Sequence, residues 1–332
     1  MKRSGTLAIL LVLAVLVAAA APFVGAEDVT PGDLWSGSDR GKMDILWKIR
    51  LPRVSMALLA GAALATSGLA FQAMFRNPLA EPFTLGVASG ASLGAALSIH
   101  LGWDAIVLLW IPGASWFAFA GTVAATLLIY GLTRLKRGFS VATMLLAGVA
   151  VSFFFSSVIL FVQYLSDFTQ TFRMLRWVMG GLERVVGFPD VLTVFPFVVT
   201  GTLIVLYLTH ELNLITTGED LAASRGVEVN RTKIVLFFAV SLMVGAVVAA
   251  CGPIGFVGLM APHICRLLVG PDHRYLTPAT LLFGAAFLVA CDTLARTVMP
   301  PAELPVGILT SLLGGPFFLW LLLCRSPQGE IL

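Results

Sequence analysis

The stretch Ile234–Cys251, IVLFFAVSLMVGAVVAAC, runs for 18 residues without a charge. A helix of that length covers about 27 Å, close to the ~30 Å hydrocarbon core of a bilayer. In lipid the backbone must satisfy its own polar groups, so only helices and closed barrels cross. The run is continuously apolar and does not alternate, which selects a helix over a barrel strand. Similar runs recur on both sides of it. Ten spans are read, at roughly 7–24, 54–75, 85–101, 115–132, 141–163, 191–209, 234–251, 254–269, 278–296 and 306–324. The eighth is short and contains Pro262, so a broken or partial crossing is expected there.

Composition points the same way. Of 332 residues, 58% are hydrophobic and 12% charged, and the mean hydropathy is +0.94. A soluble domain carries about 25% charged residues because its surface meets water. The expected fold is therefore all-α: a polytopic membrane protein of about ten transmembrane helices, one transmembrane domain over residues 1–332. No connection is long enough for a separate soluble domain. The net charge of +3, with no basic stripe interleaved with aromatics, gives nucleic-acid binding no support. Cys251, Cys265, Cys291 and Cys324 lie in or at the ends of apolar runs without CxxC spacing. They read as small buried hydrophobes, not as a disulfide or metal framework.

Lys2 and Arg3 precede the first apolar run, and Val24-Gly25-Ala26 follows it. That pattern also describes a cleavable signal peptide. The run is long for a signal core and nine further spans follow, which favours a retained first span. With ten spans both termini share one side. Lys2, Arg3, Arg76, Arg134, Lys136, Arg137, Arg225, Arg231, Lys233, Arg266, Arg274 and Arg325 fall on that side. The positive-inside rule then makes both termini cytoplasmic, with 25–53 and 164–190 outside. Two matching Gly/Pro breaks fit either an internal duplication or ordinary turns between membrane helices. The second span leads into Arg76-Asn77-Pro78-Leu79-Ala80-Glu81-Pro82, and the seventh into Cys251-Gly252-Pro253-Ile254-Gly255-Phe256. Spans 2–5 and 7–10 would form inverted units with Gly/Pro breaks at matching points, a common transporter arrangement.

The connection 210–233 includes ELNLITTGEDLAASRGVEVNRTK (211–233). Gly218-Glu219-Asp220 can open a short helix, its acids suiting the helix dipole. Gly226 can close it as a left-handed cap. Read from the residues alone, this is a capped amphipathic loop or a docking surface for a cytoplasmic partner.

That segment, together with Gly252-Pro253-Ile254-Gly255-Phe256-Val257-Gly258-Leu259 and Pro262-His263-Ile264-Cys265-Arg266, resembles the FecCD-type permeases of ATP-binding-cassette (ABC) importers. Arg50-Leu51-Pro52-Arg53, the Arg76–Pro82 motif, Leu85-Gly86-Val87-Ala88-Ser89-Gly90-Ala91, Trp177-Val178-Met179-Gly180-Gly181, Gly270-Pro271-Asp272-His273-Arg274 and Pro301-Ala302-Glu303-Leu304-Pro305-Val306-Gly307 agree, in the family's order. The resemblance implies a permease subunit that moves a ferric siderophore, haem or cobalamin into the cytoplasm. It implies a second copy of the chain, two cytoplasmic ATPase subunits, an extracytoplasmic binding protein and residence in the cytoplasmic (inner) membrane. The chain has no Gxxxx-GK[ST] loop, so it is not the hydrolysing enzyme. ATP and Mg are expected on the ATPase, with no cofactor or metal on this chain.

Residue by residue, the resemblance places ATPase coupling at Glu219, Asp220, Leu221, Ala222, Arg225, Gly226 and Val227. Leu221, Ala222, Gly226 and Val227 would pack in a groove, with the charges at its rim. It places binding-protein docking at Arg50, Arg53 and Arg296, because an arginine fork meets a carboxylate bidentately. Asp292, one turn before Arg296, is an alternative partner for it. On the docking reading, reversing charge at Arg50 and Arg53 leaves the chain folded. The cytoplasmic gate falls on Asn77 and Leu79, and the path on Leu146, Gly148, Ser152, Thr310, Ser311 and Gly314. His100, His210 and His273 are expected at the interface, and His263 as a packing residue. An ion-gradient-coupled secondary transporter is the alternative. It predicts buried acids at mid-membrane, and no Asp/Glu/His relay is evident.

Overall fold

The computed structural model describes residues 3–25, 27, 29–30, 32–33, 40–135, 141–299 and 302–324. Lys136, Arg137, Pro301, Arg325 and the side chain of Cys324 lie outside the described residues. The helices are α1 (Arg3–Ala20), α2 (Leu51–Phe75), α3 (Val87–His100), α4 (Gly113–Leu135), α5 (Val141–Leu165), α6 (Phe168–Val178), α7 (Phe188–Tyr207), α8 (Thr209–Thr217), α9 (Glu219–Ser224), α10 (Val229–Cys251), α11 (Val257–Val269), α12 (His273–Thr297) and α13 (Val306–Cys324). A helical lead-in, Arg40–Asp44 and the π-wound Ile45–Arg50, runs directly into α2. Strands β1 (Val107–Leu108) and β2 (Ile111–Pro112) form a small antiparallel hairpin between α3 and α4.

Among the described residues, seven helices are long and apolar enough to cross a membrane: α1, the lead-in with α2, α4, α5, α7, α10 and α12. Three shorter apolar helices, α3, α11 and α13, bring the set to the ten expected. The short eighth span is real: α11 has only 13 residues and contains Pro262.

The helix α2 forms the centre, buried along nearly its whole length. Its sequence ALLAGAALATSGLA (57–70) explains why. Without a hydrophobic drive between helices in lipid, close approach depends on small residues that let backbones touch. A Cβ on Gly68 would overlap the carbonyl of Gly258 on α11, and one on Gly61 would overlap that of Gly284 on α12. Gly90 of α3 and Gly121 of α4 meet in the same way.

The expected duplication is visible in the packing. The leading helix of each unit inserts into the other unit: α2 lies against α11 and α12, and α10 against α3 and α4. Each unit's second helix is short, and each is entered through a left-handed residue, Gly86 (φ 74°) before α3 and Phe256 (φ 67°) before α11. A non-glycine residue tolerates that conformation only where packing enforces it.

The first helix belongs to the bundle. It packs on α12, and the turn after it supplies the carbonyls of Ala21 and Pro22 to two buried arginines described below. Cys251, Cys265 and Cys291 are buried and free, as small hydrophobes.

Candidate functional site

At the end of the bundle that carries the N-terminus, α9 forms from Glu219 to Ser224 and stops as its sequence dictates. Gly226 adopts φ 85°. Its N–H donates to Ala223 O (3.0 Å), and Val227 N–H donates to Ala222 O (3.1 Å). Those two bonds make a complete Schellman cap, which satisfies carbonyls the short helix would otherwise orphan. Leu221, Asp220, Arg225 and Gly226 face outward, Leu221 with 45% of its surface exposed.

Ala222 is turned differently from the groove expectation, while Glu219 stays at the rim with its side chain 41% exposed. Ala222 is fully buried inside the chain, so it seats α9 on the bundle and offers no surface. Glu219 is spent on Lys233: Nζ lies 2.7 Å from Glu219 Oε1, and the lysine side chain is 1% exposed. A buried ammonium needs its counter-ion, so this pair fixes α9 to the root of α10. Nearby, Asn213 Nδ2 donates to Asp272 Oδ1 (2.9 Å), and His273 N–H donates to Asn213 Oδ1 (2.9 Å). These bonds bind α8 to the start of α12. His273, expected at the interface, is 3% exposed because Asn213 holds it. Asp272 accepts from Arg274 N–H, which holds its carboxyl below the usual range.

At the opposite end the three arginines do come together, but facing inward. Arg53 Nε and Nη2 donate to Asp292 at 2.9–3.1 Å, and its Nη1 donates to Glu303 Oε2 (2.6 Å). Arg296 Nε lies 3.3 Å from Asp292 Oδ2, the one-turn pair its spacing allowed, and its Nη2 donates to Ala21 O. Arg50 donates to Pro22 O (3.0 Å) and to Glu27 O. Each arginine is 5% exposed. The expectation that Arg50, Arg53 and Arg296 stand at the surface as docking forks is therefore corrected. Arg53 and Arg296 share the buried Asp292 and Arg50 holds backbone carbonyls, so charge reversal at Arg53 would set a carboxylate against Asp292 in the interior. The exposed acid of this cluster is Glu303, whose side chain is 43% exposed.

Between these ends lies a cavity of about 650 Å³, walled by Glu81, Phe83, Met179, Pro253, Gly307 and Ser311 among others. Its rim is pinned by backbone contacts: Gly181 N–H donates to Cys251 O (2.7 Å), and Gly307 N–H donates to Gly180 O (3.0 Å). Gly180 and Gly252, both with positive φ, let these chains touch. Of the six path residues, Ser311 lines this cavity and Leu146 is exposed on α5. Gly148 and Ser152 lie against Gly86 and Ser89, Thr310 is buried with its hydroxyl on Gly307 O, and Gly314 packs on the Phe256 ring. Those four are inside the chain's own packing. At the gate positions, Asn77 Oδ1 accepts from Leu79 N–H (2.9 Å), and the Leu79 side chain is 59% exposed. His263 packs edge-on to Phe317.

Glu81 went unread in the sequence. It lies in the connection 76–86, where a carboxylate looks solvated, yet burial pushes its pKa up to about 7. The signal was present: it is flanked by Ala80 and Pro82 and leads into the short turn Pro82–Leu85. The α6 helix was also missed, although Asp167 and Gln170 spell a capping box.

Residues 9–324 match the FecCD transport family. The chain belongs to the FecCD transport family. This FecCD protein is 39% identical over 323 residues to the hemin transport system permease protein HmuU of Yersinia pestis, covering 97% of the chain and 96% of that protein. It is 39% identical over 319 residues to the vitamin B12 import system permease protein BtuC of Escherichia coli, covering 96% and 93%. Among solved structures, it superposes on an inward-facing conformation of a metal-chelate type ABC transporter with a TM-score of 0.86 and 32% identity, covering 96% of the chain and 99% of that chain. As a FecCD member it is the membrane permease subunit of an ABC importer, with ATP hydrolysis carried by a separate subunit.

Proposed function

We propose that this permease carries a bulky metal chelate of the haem or cobalamin kind, and that α9 is the element through which a cytoplasmic ATPase drives it. The observation that carries the coupling role is the geometry of α9. It is a short helix, capped at Gly226, bolted to α10 by Glu219–Lys233, with Leu221 left 45% exposed among the described residues. Leu221, Arg225, Gly226 and Val227 would meet the ATPase, which holds ATP and Mg. Asp220 would sit at the rim. Both termini face the cytoplasm in this reading, in the inner membrane of the cell, and an extracytoplasmic binding protein delivers cargo to the opposite end. At that end Glu303 is the exposed group, while the docking candidates Arg50, Arg53 and Arg296 support the surface from beneath. A second copy of the chain completes the path, with Leu146 and Ser311 facing it and Asn77 and Leu79 at the cytoplasmic gate. The large identity shared equally with a hemin and a vitamin B12 permease supports a cargo class and leaves the two chelates level.

Reconstitution in liposomes tests this reading. The permease with its ATPase and binding protein should accumulate haem or cobalamin only when ATP is supplied. Accumulation by the chain alone, driven by a proton or sodium gradient and indifferent to ATP, would establish the secondary-transport alternative instead.

A further inference from the structure

A second cavity, of about 410 Å³, opens at the end of the bundle opposite the N-terminus, away from the one lined by Glu81. Its walls come from α4 (Trp116, Phe119), α7 (Val194, Phe197) and α10 (Ala246, Ala250), and are overwhelmingly apolar. Leu192 and Phe195 beside it on α7 are exposed, so it opens among side chains that face lipid. Its size falls within the range of ligand-binding cavities.

Two charged groups stand in this apolar wall, Arg184 and Asp190. The guanidinium of Arg184 lies 5.5 Å over the Trp177 ring and donates through Nη2 to Arg176 O (2.6 Å). Its buried Nη1 has no hydrogen-bond partner among the described residues. A partly buried guanidinium in a cavity wall, with one donor unmet, is set for an anion. The Glu183 carboxylate folds back over Gly181 and acts on Arg184 from beyond ion-pair contact, and Asp190, in the cavity wall, accepts from Val186 N–H through Oδ2 (2.8 Å).

The hairpin beside the cavity marks the depth. Ile106–Trp110 is an unbroken exposed apolar run, with Leu109 71% and Trp110 80% exposed. Leu109 (φ 52°) and Trp110 (φ 68°) hold the left-handed turn positions normally given to Asn-Gly. Bulky apolar residues placed there at a cost in backbone strain do not serve a water-facing turn. Trp116 Nε1 donates to Leu108 O (3.0 Å) and clamps the hairpin over the cavity wall. A tryptophan-bearing apolar loop at a span end belongs in the bilayer interface.

We propose that this cavity is a structural site for an aminophospholipid of the adjacent leaflet. One acyl chain fills the space between α4, α7 and α10, the headgroup phosphate meets the Arg184 guanidinium, and the headgroup ammonium meets Asp190. A cation and an anion in the same cavity wall select a zwitterionic amine headgroup over an anionic glycerol one. The hairpin lies in the interface and closes the cavity laterally.

Native mass spectrometry of the full chain, released from nanodiscs of equimolar phosphatidylethanolamine and phosphatidylglycerol, tests the site. The wild type should retain phosphatidylethanolamine in preference. Arg184→Gln should lower its retention about tenfold, the worth of one charge-assisted contact. Ala250→Phe, which fills the cavity and leaves both charges in place, should do the same. Asp190→Asn should abolish the preference for the amine lipid while some lipid is still held. Circular dichroism and gel filtration report whether each variant has folded, and the three substitutions lie on different elements, so loss of one leaves the others decisive. Equal retention of the two lipids by the wild type would overturn the headgroup assignment. Unchanged retention in both Arg184→Gln and Ala250→Phe would overturn the site.

Discussion

Asp292 is the residue whose loss should cost this protein most. Its carboxylate is 1% exposed, receives three hydrogen bonds from Arg53 and lies 3.3 Å from Arg296. Taking one partner from a buried ion pair costs about 3–5 kcal/mol, most of it the burden of the charge left behind. Asp292→Ala leaves two guanidinium groups facing each other, with only the half-exposed Glu303 to share. The cost should therefore lie at the upper end, about 4–5 kcal/mol. At about 2–4 °C per kcal/mol, thermal unfolding of the detergent-purified chain should start roughly 8–20 °C lower. Tryptophan fluorescence on a temperature ramp reads this directly. Adding Arg53→Met to Asp292→Ala removes one stranded cation and should recover at least about 1 kcal/mol, a coupling a cycle of the two singles measures. An Asp292→Ala protein that unfolds within 1–2 °C of wild type, or a double variant that is simply additive, would show that the cluster is not the buried network described.

Three further outcomes are expected. Gly226→Val has open space for its side chain but must hold φ 85°; at about 1–2 kcal/mol it should unwind the α9 cap. ATP-driven uptake should then collapse with the global melting temperature nearly unchanged, and Gly226→Asn should be milder. Gly68→Ala drives a methyl into the Gly258 carbonyl and forces α2 from α11; thermal stability should fall by about 1–3 kcal/mol, and an unchanged melting curve would contradict the close crossing. Glu81 is favoured neutral in the fold, its pKa raised from 4.5 to about 7, so its contribution is full below 4.5 and lost as pH rises through 7. Glu81→Gln should therefore be increasingly more stable than wild type from pH 5 to pH 8, by up to about 3 kcal/mol; a difference flat in pH would remove the buried carboxyl.

The ten-helix architecture was legible because each span is a local property: length and apolarity alone announce it. The α9 cap was legible for the same reason, since Gly226 acts on carbonyls three and four residues back. The arginine cluster was legible only where it is local. Asp292 and Arg296 sit one turn apart, and their pairing could be read; Arg53 finds Asp292 at a separation of 239 residues and Glu303 at 250. Nothing in Arg50-Leu51-Pro52-Arg53 tells whether its arginines face a partner protein or an acid on another helix. Glycine crossings such as Gly61–Gly284 were hidden likewise, because the residue type permits contact without naming its partner. Glu81 went unread because nothing in a connecting segment marks a carboxylate as buried, and only the fold reveals what covers it.

The bolt between Glu219 and Lys233 has a mechanical meaning. Lys233 sits at one end of α10, and Cys251, whose carbonyl holds Gly181, sits at the other. From Lys233 to Cys251 the helix rises about 27 Å. Gly181 is joined through Gly180 to Gly307 and so to the head of α13. A tie rod gripped at both ends does not dilute a push. On the coupling reading, a shift of α9 would be carried along α10 to the rim of the Glu81 cavity at the opposite end of the helix.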